Sequence, residues 1–154
     1  MSHIIEANHF VHGIAPVADA FAGTVNSDII EVAGEGILFL LYKGVGTTGT
    51  STLTVDACDD VSASNTTAVQ FWYRINTGTD VWGSWTEAAA AGFATTAGSS
   101  HMYQVWVPAA YVGAQGYAYA RLTAVEVVDD PVLGGILAIV INTRFQAMPY
   151  SLID

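Results

Sequence analysis

Met102-Tyr103-Gln104-Val105-Trp106-Val107 decides the fold class. Tyr103, Val105 and Val107 alternate with Met102, Gln104 and Trp106, the period of two that a strand with one face in a core requires. The same period runs through residues 68–75, where Val69, Phe71, Tyr73 and Ile75 alternate with Gln70, Trp72 and Arg74. In residues 52–58, Leu53, Val55 and Ala57 alternate with Thr52, Thr54 and Asp56. Only this last run has an ordinary polar second face. The second faces of the other two carry Trp106 and Trp72, so each is covered by another segment or presented to a partner.

Further β-like runs lie at residues 28–32, 36–43, 81–87, 117–127 and 136–143, separated by clusters of Gly, Thr, Ser, Asn and Asp. Helix signals are weak. The alanines of residues 85–91 allow one turn before Gly92, and Pro108-Ala109-Ala110-Tyr111-Val112-Gly113 predicts a single turn between two strands. About eight short strands without long helical patterns predict an all-β chain, an antiparallel β-sandwich or jelly roll over residues 27–146. Residues 1–26 have no strict period and are expected to form an N-terminal arm folded against another subunit, or an extra edge segment. Residues 147–154 form a C-terminal tail.

A chain of 154 residues fits one domain with a self-sufficient core. Charged residues are only 12% of it, about half the usual share, whereas hydrophobic residues are 52% and mean hydropathy is +0.42. Such a surface is covered by small and hydroxyl side chains, or is buried against other chains. Four basic residues face fourteen acids, a formal charge of −10, which excludes phosphate-driven nucleic-acid binding. The lone Cys58 cannot form an intramolecular disulfide and reads as a buried, inert thiol. The N-terminus lacks a secretory signal pattern, and the longest apolar stretch, residues 132–141, is too short to span a bilayer as a helix, so the expectation is a cytoplasmically made product and no membrane partner.

Candidate chemistry is sparse. His3, His9 and His12 flank Glu6, but no second ligand pair accompanies them, so no metal is expected; His101 follows Gly98-Ser99-Ser100 and reads as an exposed loop imidazole. Asp59-Asp60 and Asp129-Asp130 read as turn-forming acids. Ser84, in Val81-Trp82-Gly83-Ser84-Trp85, lacks the second glycine of a nucleophile elbow, and Cys58 has no basic neighbour in sequence. Gly44-Val45-Gly46-Thr47-Thr48-Gly49 spells a phosphate-loop pattern but precedes a strand and not a helix, so a hairpin loop is expected. Asn65-Thr66-Thr67 is a formal glycosylation sequon, silent without secretion. These residues imply no enzyme, no catalytic set and no cofactor. Trp72, Trp82, Trp85 and Trp106 read as core and interface anchors, with Trp82 and Trp85 the glycan-binding alternative.

The succession Phe71-Trp72-Tyr73-Arg74, Trp82 with Trp85, Tyr103-Gln104-Val105-Trp106-Val107, Tyr117-Ala118-Tyr119-Ala120-Arg121-Leu122 and Leu137-Ala138-Ile139-Val140-Ile141, ending at Arg144, resembles small all-β virion structural proteins of tailed bacteriophages. Among them it is most similar to head decoration, or cement, proteins, over residues 27–146 and through strand order and texture. The resemblance implies a non-enzymatic protein on the outer surface of a capsid. It would bind the major capsid protein, bridge adjacent subunits and form a homo-oligomer, with a trimer suited to lattice three-folds. The expected partner contacts are apolar residues near the two ends: Ile4, Ile5, Phe10, Val11, Val17, Phe21, Phe145 and Tyr150. The alternative is a carbohydrate-binding or tail-fibre module using Trp82 and Trp85.

Overall fold

The computed structural model of the chain describes residues 7–141. Among them are twelve strands and one five-residue helix: β1 Asn8–Val17, β2 Thr24–Asn26, β3 Ile30–Glu31, β4 Gly36–Lys43, β5 Thr50–Cys58, β6 Thr66–Val69, β7 Phe71–Asn76, β8 Thr86–Ala88, β9 Phe93–Ala94, β10 His101–Pro108, α1 Ala109–Gly113, β11 Tyr119–Val128 and β12 Gly134–Ile141. A front sheet runs in the order β1-β12-β4-β10-β7-β8. A back sheet runs β2-β11-β5-β6, with β3 added on β11 and β9 on β5. All of the pairings are antiparallel, and the chain is an all-β sandwich.

The inner faces share one core. Ile37, Phe39 and Leu41 of β4, with Tyr103, Val105 and Val107 of β10, meet Leu53, Val55 and Ala57 of β5 and Ala120, Leu122 and Ala124 of β11. The periods read from residues 52–58 and 102–107 are thus the inward rows of β5 and β10. Phe93 stacks on Tyr73 at 3.7 Å between ring centres, closing the core beside β7.

The strand count exceeds the expected eight for reasons that lie in the geometry of a sandwich. Residues 68–75 are not one strand: the chain crosses from back sheet to front sheet at Gln70, between β6 and β7. Val69 and Phe71 both point into the shared core on either side of that corner, so the period of two runs through it unbroken. Only Thr86–Ala88 of the expected strand at 81–87 joins a ladder. Strands β1, β2 and β9 lack a strict period, and β1 breaks register between His12 and Ile14 and between Ile14 and Val17. It forms the front sheet's edge, from Asn8 opposite Ile141 to Val17 opposite Gly134. Gly44–Gly49 is not the hairpin loop expected, because β4 and β5 belong to different sheets; this loop carries the chain over the end of the sandwich.

Replacing Phe39, which is fully buried at the centre of β4, by alanine leaves a cavity between the sheets. Phe39→Ala is expected to cost about 3–5 kcal/mol in urea unfolding. A loss under about 1 kcal/mol would place Phe39 outside the core that unites the two sheets.

Candidate functional site

The outward residues of the front sheet follow from its register. Phe10, Ile139, Leu38, Trp106 and Trp72 form one row across β1, β12, β4, β10 and β7, ending at Glu87 of β8. The next row is His12, Leu137, Leu40, Gln104 and Arg74, and the one beyond it Gly135, Tyr42, Met102 and Asn76. Over β1, β12 and β4 this face is mainly apolar and open within residues 7–141, with Tyr42 50% exposed, Phe10 47% and Leu137 40%; His12, Gln104, Arg74 and Asn76 add polar groups, and residues 81–85 lie over its β7 end. No residue of β1, β12, β4, β10 or β7 is acidic. The acids on strands lie elsewhere, Glu31, Asp56 and Glu126 in the back sheet and Glu87 at the rim in β8.

At one end the face is hollowed. The register breaks in β1 and the side-chain-free Gly135 leave a groove of about 480 Å³, lined by Ile14, Pro16, Leu40, Tyr42, Leu133 and Leu137 among others. A Cβ on Gly134 would fall 2.7 Å from the Phe21 ring, so this glycine is what lets Phe21 fill the space beneath. At the other end the tryptophans are organised by polar partners. The Arg74 guanidinium lies over both Trp82 and Trp85, 5.0 and 4.7 Å from the ring centres, and its Nε donates to Gln104 Oε1 at 2.6 Å. Trp72 Nε1 donates to the Tyr111 hydroxyl at 3.3 Å, which in turn donates to Glu87 at 3.2 Å. Residues 81–85 therefore rest on the sheet through a cation–aromatic stack and not through a full ladder.

The back sheet's outer face is of the opposite character. There Arg121 Nε meets Asp56 Oδ2 at 3.2 Å, and the Thr123 hydroxyl lies 2.8 Å from Asn26 Oδ1 and 3.1 Å from that same carboxylate. Thr52 and Thr54 continue this face.

The expected partner residues separate accordingly. Phe10 and Val17, each 47% exposed, are open to a partner. Phe21 is not: it is 5% exposed within the chain's own core. Val11 stands opposite Ala138 on the inward side and packs against that core, because it alternates with Phe10 and His12 along β1. Ile4, Ile5, Phe145 and Tyr150 lie outside the described residues, as do His3 and Glu6. The sequence reading did not single out Leu38, Leu40, Tyr42, Leu137 or Ile139. Their signal is the near-continuous apolar run of β4 and of β12, in which a missing alternation means that both faces are apolar.

The residues weighed for chemistry are structural where they are described. The Gly44–Gly49 loop does bind an anion, but the chain's own: the backbone N–H groups of Thr47, Thr48 and Gly49 donate to Asp130 Oδ2 at 3.2, 2.7 and 3.2 Å. These bonds hold the Asp130 pKa down to about 2. Lys43, 2% exposed at the same end, donates to the carbonyls of Gly49 and Thr96 at 2.6 and 2.7 Å, and burial pulls its pKa below the ordinary lysine value. Asp59 and Asp60 accept bonds from Asn65, Ser62 and Ser64 and shape their turn. Burial raises the Cys58 thiol to about 11, which leaves it protonated and unreactive at neutral pH. His101 is not the exposed imidazole expected. Ser100, at φ +61°, turns the chain so that His101 starts β10 facing inward opposite Lys43, 8% exposed and with no hydrogen-bond partner at Nδ1 among the described residues. His12 Nδ1 lies 3.5 Å from Asp28. Among the described residues no three His, Cys, Asp or Glu side chains converge as a metal site.

No protein-family description, curated protein or solved structure matches this chain.

The Asp130 cradle carries a pH signature. A carboxyl whose pKa is lower folded than unfolded stabilises the fold above about pH 4 and loses that contribution as pH falls toward 2. Asp130→Asn is therefore expected to lower the melting temperature near neutral pH, with the gap to the unsubstituted protein closing across that acid window. Parallel melting curves over the window would remove the cradle from the loop's stability.

Proposed function

We propose that the chain is a non-enzymatic virion structural protein that decorates a tailed-phage capsid and stabilises it by bridging adjacent capsid subunits. One observation carries the reading: a mainly apolar sheet face whose five strands bear no acid, in a chain with a net charge of −10. Contiguous apolar faces of this extent mark places where proteins meet. The resemblance of residues 71–74, 103–107, 117–122 and 137–141 to head decoration proteins supplies the kind of assembly. The exposed edge residues Phe10 and Val17 supply contacts beyond the face. The loops at the sandwich end, tied through Lys43 and Asp130, keep the body rigid, and a rigid body loses little freedom on docking. A protein that binds only the assembled shell stabilises it by mass action, and repeated contacts around a lattice add avidity.

The alternative, a carbohydrate-binding or tail-fibre module, draws on Trp82 and Trp85. Arg74 already stacks on both rings, which leaves less of each for a sugar. Glycan-array binding abolished by Trp82→Ala and Trp85→Ala would favour that module.

The decoration reading is tested on particles. In gradients of intact phage produced from the genome that encodes the chain, the protein is expected to band with the particles in a fixed ratio to the major capsid protein, and particles lacking it are expected to release DNA at a lower temperature. A protein found only in the soluble fraction would overturn the reading.

A further inference from the structure

We infer that the outer face of the front sheet is the interface of a two-fold dimer of this chain, sheet against sheet. Its area is of the right order. Five strands about 4.8 Å apart and about eight residues long make a face of roughly 600 Å², so two copies would bury roughly 1,200–1,300 Å², at the lower bound of specific protein–protein interfaces.

Charge selects the partner. Two copies at −10 each repel wherever their acids approach, and this surface keeps its acids at the margins, Glu87 in β8 at one edge and Asp28, 3.5 Å from His12, at the other. A basic partner would find little here to pair with: carboxylates stand only at the two margins, Glu87 and Asp28, and the cation Arg74 is held against Trp82 and Trp85. Uncharged, aromatic-rich cores are typical of homodimer interfaces. Shape agrees with charge. Leu38 and Trp106, paired across β4 and β10, lie beside the groove lined by Leu40, Tyr42, Pro16 and Leu137, so a two-fold axis can set that pair of each copy toward the groove of the other. Two sheets meeting this way would repeat, between chains, the packing already made within one. A self-complementary face placed on a two-fold axis meets one copy of itself, which makes this contact dimeric and not trimeric.

The link to capsids rests on the function proposed above: a dimer with one shell contact on each half spans two subunits, which a lone chain with one contact cannot. The dimer itself is tested without capsids, by sedimentation equilibrium of the full chain. The expected species has twice the 16.2 kDa chain mass. Leu40→Glu and Leu137→Glu, placed opposite each other at the centre of the face, are each expected to weaken the dimer at least about 100-fold with unchanged circular dichroism, whereas Thr54→Glu on the back sheet leaves it intact. Should either leucine variant fold poorly, Tyr42→Asp, at a half-exposed position, reads the same contact. A monomer at every concentration, or a dimer indifferent to these front-face charges, would overturn the inference. A front-face dimer that never appears on particles upholds the inference and removes the capsid role; a monomer that does bind particles has the reverse meaning.

Discussion

The structure depends on β4 being apolar on both sides. Inward, Ile37, Phe39 and Leu41 reach the back sheet and are excluded from water; outward, Leu38, Leu40 and Tyr42 reach no layer within residues 7–141. A strand with two apolar faces is the usual condition of sheets covered on both sides, whereas an antiparallel sandwich ordinarily turns its second face to water with polar residues. This chain follows the ordinary rule only in its back sheet, where Thr52, Thr54, Asp56, Arg121 and Thr123 face outward. The front sheet therefore has the two-sided apolar composition of a sheet covered on both faces. Burying further apolar area at roughly 25 cal/mol per Å² is the driving force this arrangement leaves available for association.

Much of the fold was legible because strand periodicity survives wherever one face is buried and the other is not. Residues 102–107 and 52–58 fall inside β10 and β5, and residues 36–43 match β4 to the residue. What was illegible follows from the same physics. The corner at Gln70 hides because two sheets share one core, so crossing from one to the other changes the pairing partner and not the inward side. Strand β1 hides because its register breaks around Ile14 scramble the period, and β9 because two residues carry none. Trp82 and Trp85 looked like a strand because aromatic residues favour strands; the guanidinium of Arg74, distant in sequence, holds them instead.

The candidate site was legible by half. Trp72 and Trp106 announced that two strands have no polar face, and the structure places them side by side in one row. The rest of that row and its neighbours come from β4, β12 and β1, whose alignment is a matter of register that no local pattern records. Phe21 shows the converse error. An apolar residue in an aperiodic segment reads as a contact for a partner, but its ring found room inside the chain above Gly134, which only the three-dimensional packing reveals.

In the proposed dimer, placement of charge would restrict how a protein with so few ionic groups associates. The acids among the described residues sit in connections, on the back sheet and at the rim in β8, so approach of two copies by those routes would bring carboxylates together at a cost. Several of the connection acids are also held in place: Asp130 by three backbone N–H groups and Asp59 by Asn65, bonds that favour the ionised form and keep the charge where it is across neutral pH. An apolar face alone would be an aggregation hazard, since apolar surfaces attract without direction. In the proposed dimer, an apolar face on a molecule whose described acids lie elsewhere or at its margins would favour one approach over others, so that the scarcity of charge on the front sheet and its surplus elsewhere would act together as the specificity of that contact.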